Sequence, residues 1–189
     1  TLLSGTYYIQ EEIAPPGYKL DTTVRMAVIP LLEKNSGETA YGTNKASILI
    51  PEEGTGTTDY QWVNVPNRLT LYKRDQYGRP VTLKDGGWLE LKVDSGKFLT
   101  GEDTIRLYQD AAKPATKLDG STIVPNITYA DGFWTITGLF DIGKTYTISE
   151  PEESVPGSHI QAKPFSFTMK ADGSITYAQF EGRPELVSM

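Results

Sequence analysis

Apolar and polar residues alternate over short segments of this 189-residue chain, and residues that favour turns separate the segments. Because successive side chains of a strand point to opposite faces, each segment can bury one face and expose the other. The pattern predicts strands at 6–11, 24–32, 46–50, 60–66, 69–73, 88–93, 127–129, 133–136, 165–169 and 175–177. Several short strands separated by turn signals favour an all-β fold of the sandwich type.

Two Asp-Gly pairs support this interpretation. Asp131-Gly132 and Asp172-Gly173 each stand between two of the predicted strands. Asp-Gly is typical of the type I′ hairpin turn, which needs positive φ angles. The region from Asp94 to Pro125 is longer than a pair of core strands needs, and within it 104–113 fits either a strand or one short helix. For 104–113 we favour a strand followed by a turn.

One segment of the chain occurs twice, at 5–18 and at 143–157. The shared residues, each two positions apart, are Tyr7, Ile9 and Glu11 in the first copy and Tyr146, Ile148 and Glu150 in the second. In a strand this spacing places the glutamate on the same face as the apolar pair, toward the core. The repeat predicts two domains, with 1–66 as the C-terminal part of the first and 67–189 as the second.

Charge and cysteine content narrow the possible functions. The formal net charge is −6 with acidic and basic residues interspersed, so no basic stripe is present and nucleic acid is not an expected partner. Cysteine is absent, which removes disulfides and thiolate metal sites, and we expect no metal or other cofactor. No apolar run approaches the ~20 residues that cross a bilayer, and no leader pattern follows Thr1, so we expect a soluble chain without a membrane span.

The repeat resembles part of the SpaA or Cna B-type domains of Gram-positive surface adhesins and pilins. Those prealbumin-like, Ig-like domains carry Gly-x-Tyr-x-Leu-x-Glu followed by Ala-Pro-x-Gly-Tyr. The copy at 5–18 matches almost in full, whereas the copy at 143–157 has Ser154-Val155 where Ala-Pro is usual. The family's opening strand, a lysine followed by Asp-x-x-Gly-x-Pro, is similar to 69–80, in which the lysine is Lys73.

The resemblance implies tandem prealbumin-like β-sandwich repeats, of which at least one is incomplete, with a structural rather than an enzymatic role. Such repeats form the stalk of a cell-wall-anchored adhesin or the backbone of a pilus. They lie outside the cell and resist pulling and proteolysis. The implied partners are neighbouring repeats, with host proteins or glycans bound through other domains of the protein.

Many domains of this family are closed by an isopeptide bond between a lysine of the first strand and an asparagine of the last. By resemblance, Lys73 is the nucleophile and Glu150 the assisting acid of the second domain, and Glu11 is the acid of the first. Asn64 stands where the first domain should present its asparagine, with Asn67 as the alternative. The attacking amine must be neutral and the acid protonated, and burial favours both uncharged forms.

Each of these sets is incomplete within the sequence. The opening strand of the first domain would precede Thr1, and no asparagine follows Asn126. We therefore expect that neither bond forms in the usual arrangement inside these residues, and that the second domain lacks its last strand. The alternative interpretation of Lys73 and Glu150 is an ordinary ion pair or two exposed strand charges.

Two other functions stay open. Trp62, Trp88 and Trp134 could stack on sugar rings and, with the 94–125 region, form a module that binds carbohydrate or a host protein, although large aromatics of a sandwich usually pack in its core. A hydrolase has less support. His159 is the single histidine, and no Gly-x-Ser-x-Gly motif accompanies it.

Overall fold

The structure is a computed structural model that describes residues 5–29, 47–49, 63–123 and 126–177. Within these ranges the chain is all-β, with antiparallel strand pairs and one short 3₁₀ helix at Glu152–Ser154. The chain divides into two compact units. Unit 1 comprises Thr1–Ala14 and Leu20–Asn64, and unit 2 comprises Pro15–Lys19 and Val65–Met189.

Unit 1 contributes one antiparallel sheet of three strands. These are β1 (Gly5–Ile9), β2 (Arg25–Ile29) and β3 (Ser47–Leu49), with β2 in the centre. Arg25 forms an ion pair with Asp21 at 2.8 Å, just before β2. Along β1 the side chain of Tyr7 is half-buried and that of Ile9 is exposed.

Unit 2 contributes two antiparallel sheets. Its strands are β4 (Arg68–Tyr72), β5 (Trp88–Val93), β6 (Thr104–Tyr108), β7 (Ala115–Thr116), β8 (Ile127–Ala130), β9 (Phe133–Thr137), β10 (Thr145–Ser149), β11 (Phe165–Met169) and β12 (Ile175–Tyr177). One sheet has the order β12-β11-β10-β5-β6-β7, and the other has the order β4-β9-β8. Strands β4 and β12 therefore each lie at the edge of a sheet, with one side of the backbone unpaired by another named strand.

The inner faces of these two sheets share one hydrophobic core. Alternate residues are buried along β5, β9 and β10, as the sequence pattern predicts. The rings of Phe140, Tyr146 and Phe167 contact one another, with Phe140 and Tyr146 centroids 4.8 Å apart. Because apolar side chains from both sheets meet in one cluster, unit 2 has a sandwich-like architecture.

Both predicted hairpins form, but their turns differ. Asp131 and Gly132 have φ angles of 53° and 82°, which confirms a turn with two positive φ angles. The prediction of the same turn at Asp172-Gly173 is wrong, because only Gly173 has positive φ. There the Oδ1 atom of Asp172 accepts the Ser174 N–H at 2.9 Å, and this local bond holds the aspartate in an ordinary conformation within a longer loop.

The segments around the predicted domain boundary also differ from expectation. The strand predicted at 60–66 is not continuous in its described part, because Val63–Pro66 is irregular except for an isolated bridge from Pro66 to Tyr18. Proline has no N–H to donate to a ladder. The division between the units falls between Asn64 and Val65.

In the 94–125 region, the strand that we favoured at the start of 104–113 is confirmed, because β6 covers Thr104–Tyr108.

Candidate functional site

Lys73 and Glu150 lie directly after two strands of unit 2. Lys73 follows β4, and Glu150 follows β10. The alternation that buries Tyr146 and Ile148 continues to Glu150, which is only 3 % exposed. The carboxylate therefore lies on the core face, as the sequence spacing predicts.

The side chains of Lys73 and Glu150 are in contact. The Nζ atom of Lys73 lies 3.2 Å from the Oε2 atom of Glu150, and the two side chains are 12 % and 1 % exposed. Oε2 also accepts the backbone N–H of Ala162 at 2.8 Å. The buried Oε1 atom has no hydrogen-bond partner among the described residues. Because an unsatisfied buried acceptor is costly, Oε1 marks a place where a donor group would be stabilised.

Glu150 also fixes the loop that precedes β11. The Nε2 group of Gln161 donates to the backbone oxygen of Glu150 at 2.6 Å, and the Ala162 N–H bond to Oε2 lies beside it. Nearer the start of this loop, Ser154 accepts the N–H of Trp88 through its Oγ atom at 2.9 Å. The two bonds to Glu150 position the loop against the end of β10, and the Ser154 bond ties it to the first residue of β5. Sequence reasoning did not anticipate these bonds. The polar Gln161, four residues after the Pro156-Gly157 turn, was the signal available in the sequence.

A cleft of about 830 Å³ lies over the pair. Apolar side chains from both sheets line it, namely Leu69, Leu71, Leu89, Ile148, Phe165 and Ile175. The turn after β4 and the loop after Glu150 line it as well, including the exposed Tyr77 and Ile160. Among the described residues that line the cleft, none is an asparagine.

The turn at one side of the cleft is held by Asp75. Its Oδ2 atom contacts the Arg79 guanidinium at 2.7 Å, and its Oδ1 atom accepts the N–H groups of Tyr77 and Arg79. Desolvation raises the pKa of Asp75, but the hydrogen bonds from Arg79 and Tyr77 outweigh it and hold the pKa below its usual value. Asp75, Gly78 and Pro80 are the Asp, Gly and Pro positions of the opening-strand motif, and the motif therefore forms a hydrogen-bonded turn beside Lys73.

Two other sequence-predicted residues, Glu11 and Asn64, belong to unit 1. Glu11, in unit 1, is half-buried, and its Oε2 atom accepts the Asp21 N–H at 2.8 Å. Asn64, also in unit 1, is half-buried, and its Oδ1 atom has no partner in the described part of the chain. The structure thus brings Lys73 and Glu150 together and leaves Glu11 and Asn64 in a separate unit.

Asn67, the alternative to Asn64, is fully buried in unit 2. Its Nδ2 group donates to the backbone oxygens of Tyr18 and Phe140, at 3.2 and 2.9 Å. Its backbone N–H donates to Gly17, and its backbone oxygen accepts the N–H of Gly138. Asn67 therefore fastens the Pro15–Lys19 turn to the sandwich through polar bonds.

Trp88 and Trp134 do not form the stacking platform that the sequence left open. Trp134 is fully buried, and its indole N–H donates to the Tyr108 carbonyl at 2.8 Å, so it cannot face a sugar. Trp88 is half-buried, and the guanidinium of Arg106 covers its ring at 4.5 Å. Trp62 lies outside the described residues.

A second cleft, of about 340 Å³, lies in the 94–125 region. Lys117 and Glu102 line it and form an ion pair at 2.5 Å. The hydrogen bond to Glu102 raises the pKa of Lys117. Desolvation raises the pKa of Glu102, but the hydrogen bonds from Lys117 and Thr100 and the charge of Lys117 together outweigh it and hold the pKa below its usual value. Because Lys117 and Glu102 pair with each other, neither of these two charges is left for a ligand.

The described residues give little support for a histidine-centred hydrolase site. The Nδ1 atom of His159 lies 2.9 Å from the neighbouring Ser158 Oγ, but both residues are exposed and no described carboxylate hydrogen-bonds the imidazole. The described residues contain no cluster of three or more His, Cys, Asp or Glu side chains suited to a metal ion. They also contain no helix long and apolar enough to cross a membrane.

Comparisons with known proteins find no relative of this chain. No protein-family model, curated protein or solved structure matches this chain.

Proposed function

We propose that this chain consists of tandem prealbumin-like repeats that form the stalk of a cell-surface adhesin or the backbone of a pilus subunit. In this proposal unit 2 is clamped covalently through Lys73. One observation carries the proposal, namely the buried contact between Lys73 and Glu150 at 3.2 Å. It joins the two residues that the opening-strand motif and the repeat motif single out for an isopeptide bond.

The contact suits amide exchange with an asparagine that enters the cleft. A proton can pass from the Lys73 ammonium to the Glu150 carboxylate across their hydrogen bond, which leaves a neutral amine and a neutral acid. The amine then attacks the carboxamide carbon while the acid hydrogen-bonds the amide oxygen. A new C–N bond to Nζ forms, the bond to the amide nitrogen breaks, and ammonia leaves with the proton that Nζ loses. Fixed positions in a packed core supply the effective concentration that this reaction needs.

The test is a peptide map of the protein recovered from the surface of the cells that make it. Trypsin cuts after an unmodified lysine, so a clamped Lys73 is expected to appear in a branched peptide, with the intact mass lower by one ammonia per clamp. A Lys73→Arg variant is the matched control, because arginine keeps the positive charge but does not deprotonate in proteins. Complete tryptic cleavage at Lys73, or recovery of the protein only from inside the cells, would contradict the proposal.

The competing proposal is a module that binds a glycan or a host protein. This proposal relied on Trp62, Trp88 and Trp134 as sugar-stacking residues. Trp134 is buried and the Arg106 guanidinium covers the ring of Trp88, so neither of these two is free to stack on a sugar. The cleft at Lys117 and Glu102 is the remaining candidate. Titration with glycans and matrix proteins, followed by the fluorescence of Trp88, is expected to show no binding to this chain.

A further inference from the structure

Unit 2 includes a short turn that is separate in sequence from the rest of the unit. The turn is Pro15–Lys19, and the remainder of unit 2 begins at Val65. The Tyr18 N–H donates to the Pro15 carbonyl at 3.1 Å, and Gly17 has a φ of 83°. A glycine with positive φ at the third position, after a proline at the second, is typical of a type II turn. The continuous part of unit 2 therefore contacts a turn that it does not itself supply.

Backbone hydrogen bonds hold this turn in place. The Lys19 N–H donates to the Val65 carbonyl at 2.8 Å, and the Asn67 N–H donates to the Gly17 carbonyl at 2.8 Å. The Nδ2 group of Asn67 donates to the Tyr18 carbonyl at 3.2 Å. All three bonds use main-chain groups of the turn, so they select its backbone shape rather than its side chains.

Gly17 is the position at which the contact is most selective. It is buried, and a Cβ atom there would lie 2.5 Å from the Gly138 carbonyl oxygen and 3.0 Å from the Cδ1 atom of Leu99. Pro15 and Pro16 are exposed, and their contribution is to hold the shape of the turn. The contact therefore requires glycine at the third position of the turn and tolerates variation before it.

The residues that receive the turn are positioned by the sandwich itself. The Nδ2 group of Asn67 also donates to the carbonyl of the buried Phe140 at 2.9 Å, and the Asn67 carbonyl accepts the Gly138 N–H at 2.7 Å. Neither of these bonds involves the turn. Asn67 should therefore keep its place when the turn leaves, and a site that keeps its shape binds again at little cost.

We propose that Val65, Asn67, Leu99 and Gly138 form a turn-binding site, which takes a type II Pro-Gly turn from a separate polypeptide when the chain's own turn is displaced. The partner is recognised by an exposed Pro-x-Gly turn, in which the glycine enters the buried position and the flanking carbonyl and N–H groups form the backbone bonds. This inference goes beyond the proposed function, because it requires neither a covalent bond nor a place at the cell surface.

The test is a titration of the full chain carrying Gly17→Val with a capped peptide that has the sequence of residues 12–21. Valine disfavours positive φ and adds a Cβ atom at the tight position, so the variant's own turn is displaced. The peptide is expected to shift the amide signals of Asn67 and Gly138. It should bind the variant about tenfold more tightly, or better, than the unaltered chain, whose own turn competes at a high effective concentration. Alanine in place of the peptide's glycine should weaken binding about tenfold or more.

The other copy of the sequence repeat supplies the matched control. In the turn at 156–159 the His159 N–H donates to the Pro156 carbonyl at 2.9 Å, and Gly157 lacks the positive φ of Gly17. Gly157→Val makes the same chemical change without touching the turn-binding site. Its affinity for the peptide should equal that of the unaltered chain.

Amide hydrogen exchange of the unaltered chain decides the question if Gly17→Val does not fold. The N–H groups of Lys19 and Asn67 join the turn to its site. They should exchange at one common rate, about tenfold or more faster than the core amides of β5, because the turn leaves while the core stays folded. Exchange of both groups only at the rate of the core would overturn the inference.

Three results of the titration would also overturn it. They are equal affinity of Gly17→Val and the unaltered chain, equal binding of the alanine peptide, and shifts that map away from Asn67 and Gly138. The peptide map separates this inference from the clamp. A branched Lys73 peptide without peptide binding overturns the turn-binding site alone, whereas peptide binding with complete cleavage at Lys73 supports the site and contradicts the clamp.

Discussion

Glu11 and Glu150 occupy the same position of the sequence repeat, but they have different surroundings. Each accepts a backbone N–H from the segment that follows its Pro-Gly turn, from Asp21 in unit 1 and from Ala162 in unit 2. Glu11 is half-buried, whereas Glu150 is almost fully buried and also contacts Lys73. The shared bond indicates that the glutamate of the repeat has a structural task, which is to fix the following loop. In unit 2 the glutamate also contacts a lysine, Lys73, in addition to forming this shared hydrogen bond.

The glycines of the two Pro-Gly turns differ in the same way. Gly17 has a φ of +83°, and a Cβ atom there would lie 2.5 Å from the backbone oxygen of Gly138. At Gly157 no atom of the described residues lies within 4 Å of such a Cβ position. A close backbone approach therefore requires glycine in the first turn, and no such contact requires it in the second.

The largest effect is expected from removal of the buried carboxylate. Glu150→Ala leaves the Lys73 ammonium without its partner, and we expect unit 2 to lose about 3 kcal/mol of unfolding free energy. Glu11→Ala removes one hydrogen bond from a half-buried site and should cost about 1 kcal/mol. Urea denaturation followed by tryptophan fluorescence measures both. The double variant Lys73→Met/Glu150→Leu should recover most of the stability lost in Glu150→Ala, because it removes both buried charges. Equal costs for Glu150→Ala and Glu11→Ala would show that the two copies of the repeat do not differ in this respect.

Substitution of the two turn glycines should give the next largest difference. Gly17→Ala forces a Cβ atom onto the Gly138 carbonyl in a left-handed conformation, and we expect a loss of about 2 to 3 kcal/mol. Gly157→Ala should change stability by less than about 1 kcal/mol, and the change should favour the folded state if the alanine reduces the freedom of the unfolded chain. Thermal unfolding of the two variants under one set of conditions checks the order. A Gly17→Ala protein as stable as the original would show that this turn can move.

The two candidate asparagines provide a third comparison. Asn67→Ala removes a buried side chain that donates to the Tyr18 and Phe140 carbonyls, and we expect a cost of about 2 kcal/mol. Asn64→Ala should cost less than about 1 kcal/mol, because Asn64 is half-buried and its Oδ1 atom has no partner in the described residues. Urea denaturation of both variants distinguishes a structural Asn67 from a dispensable one. A larger cost at Asn64 would reverse this assignment.

The smallest effect is expected at the tyrosines of the repeat, and it depends on pH. Burial, followed by the nearby Asp141 carboxylate, raises the pKa of Tyr146 to about 12, although the Asp141 N–H bond opposes the shift. Because an unfolded tyrosine ionises near pH 10, this stabilisation is complete below pH 10 and is lost as the pH rises toward 12. Tyr146→Phe should cost about 1 kcal/mol at neutral pH and should remove that alkaline loss.

Alkaline titration of tyrosinate absorbance, with stability measured at each pH, tests the Tyr146 prediction. Tyr7→Phe is the control from the other copy of the repeat, where the side chain is only half-buried. An unchanged alkaline profile in Tyr146→Phe would assign the loss to other groups.

Local patterns predicted much of the fold of unit 2. The alternation along β5, β9 and β10 marks the buried faces, because strand geometry alone decides which side chains share a face. The same rule places Glu150 inward. Turn geometry was harder to predict, since Asp131 and Asp172 both precede glycine but only Asp131 has positive φ. The bond from Ser174 to Asp172 depends on the length of the loop, which a dipeptide signal does not include.

The candidate site depends on contacts that no local pattern contains. The spacing of the repeat by itself determined that Glu150 faces inward, and the opening-strand motif drew attention to Lys73. Only the packing of the two sheets decided that Lys73 and Glu150, 77 residues apart, lie in contact under a cleft. It also decided that Asn67 is buried. The physical reason is that strand periodicity is set by neighbouring residues, whereas burial and pairing are set by which distant strands the hydrophobic core brings together.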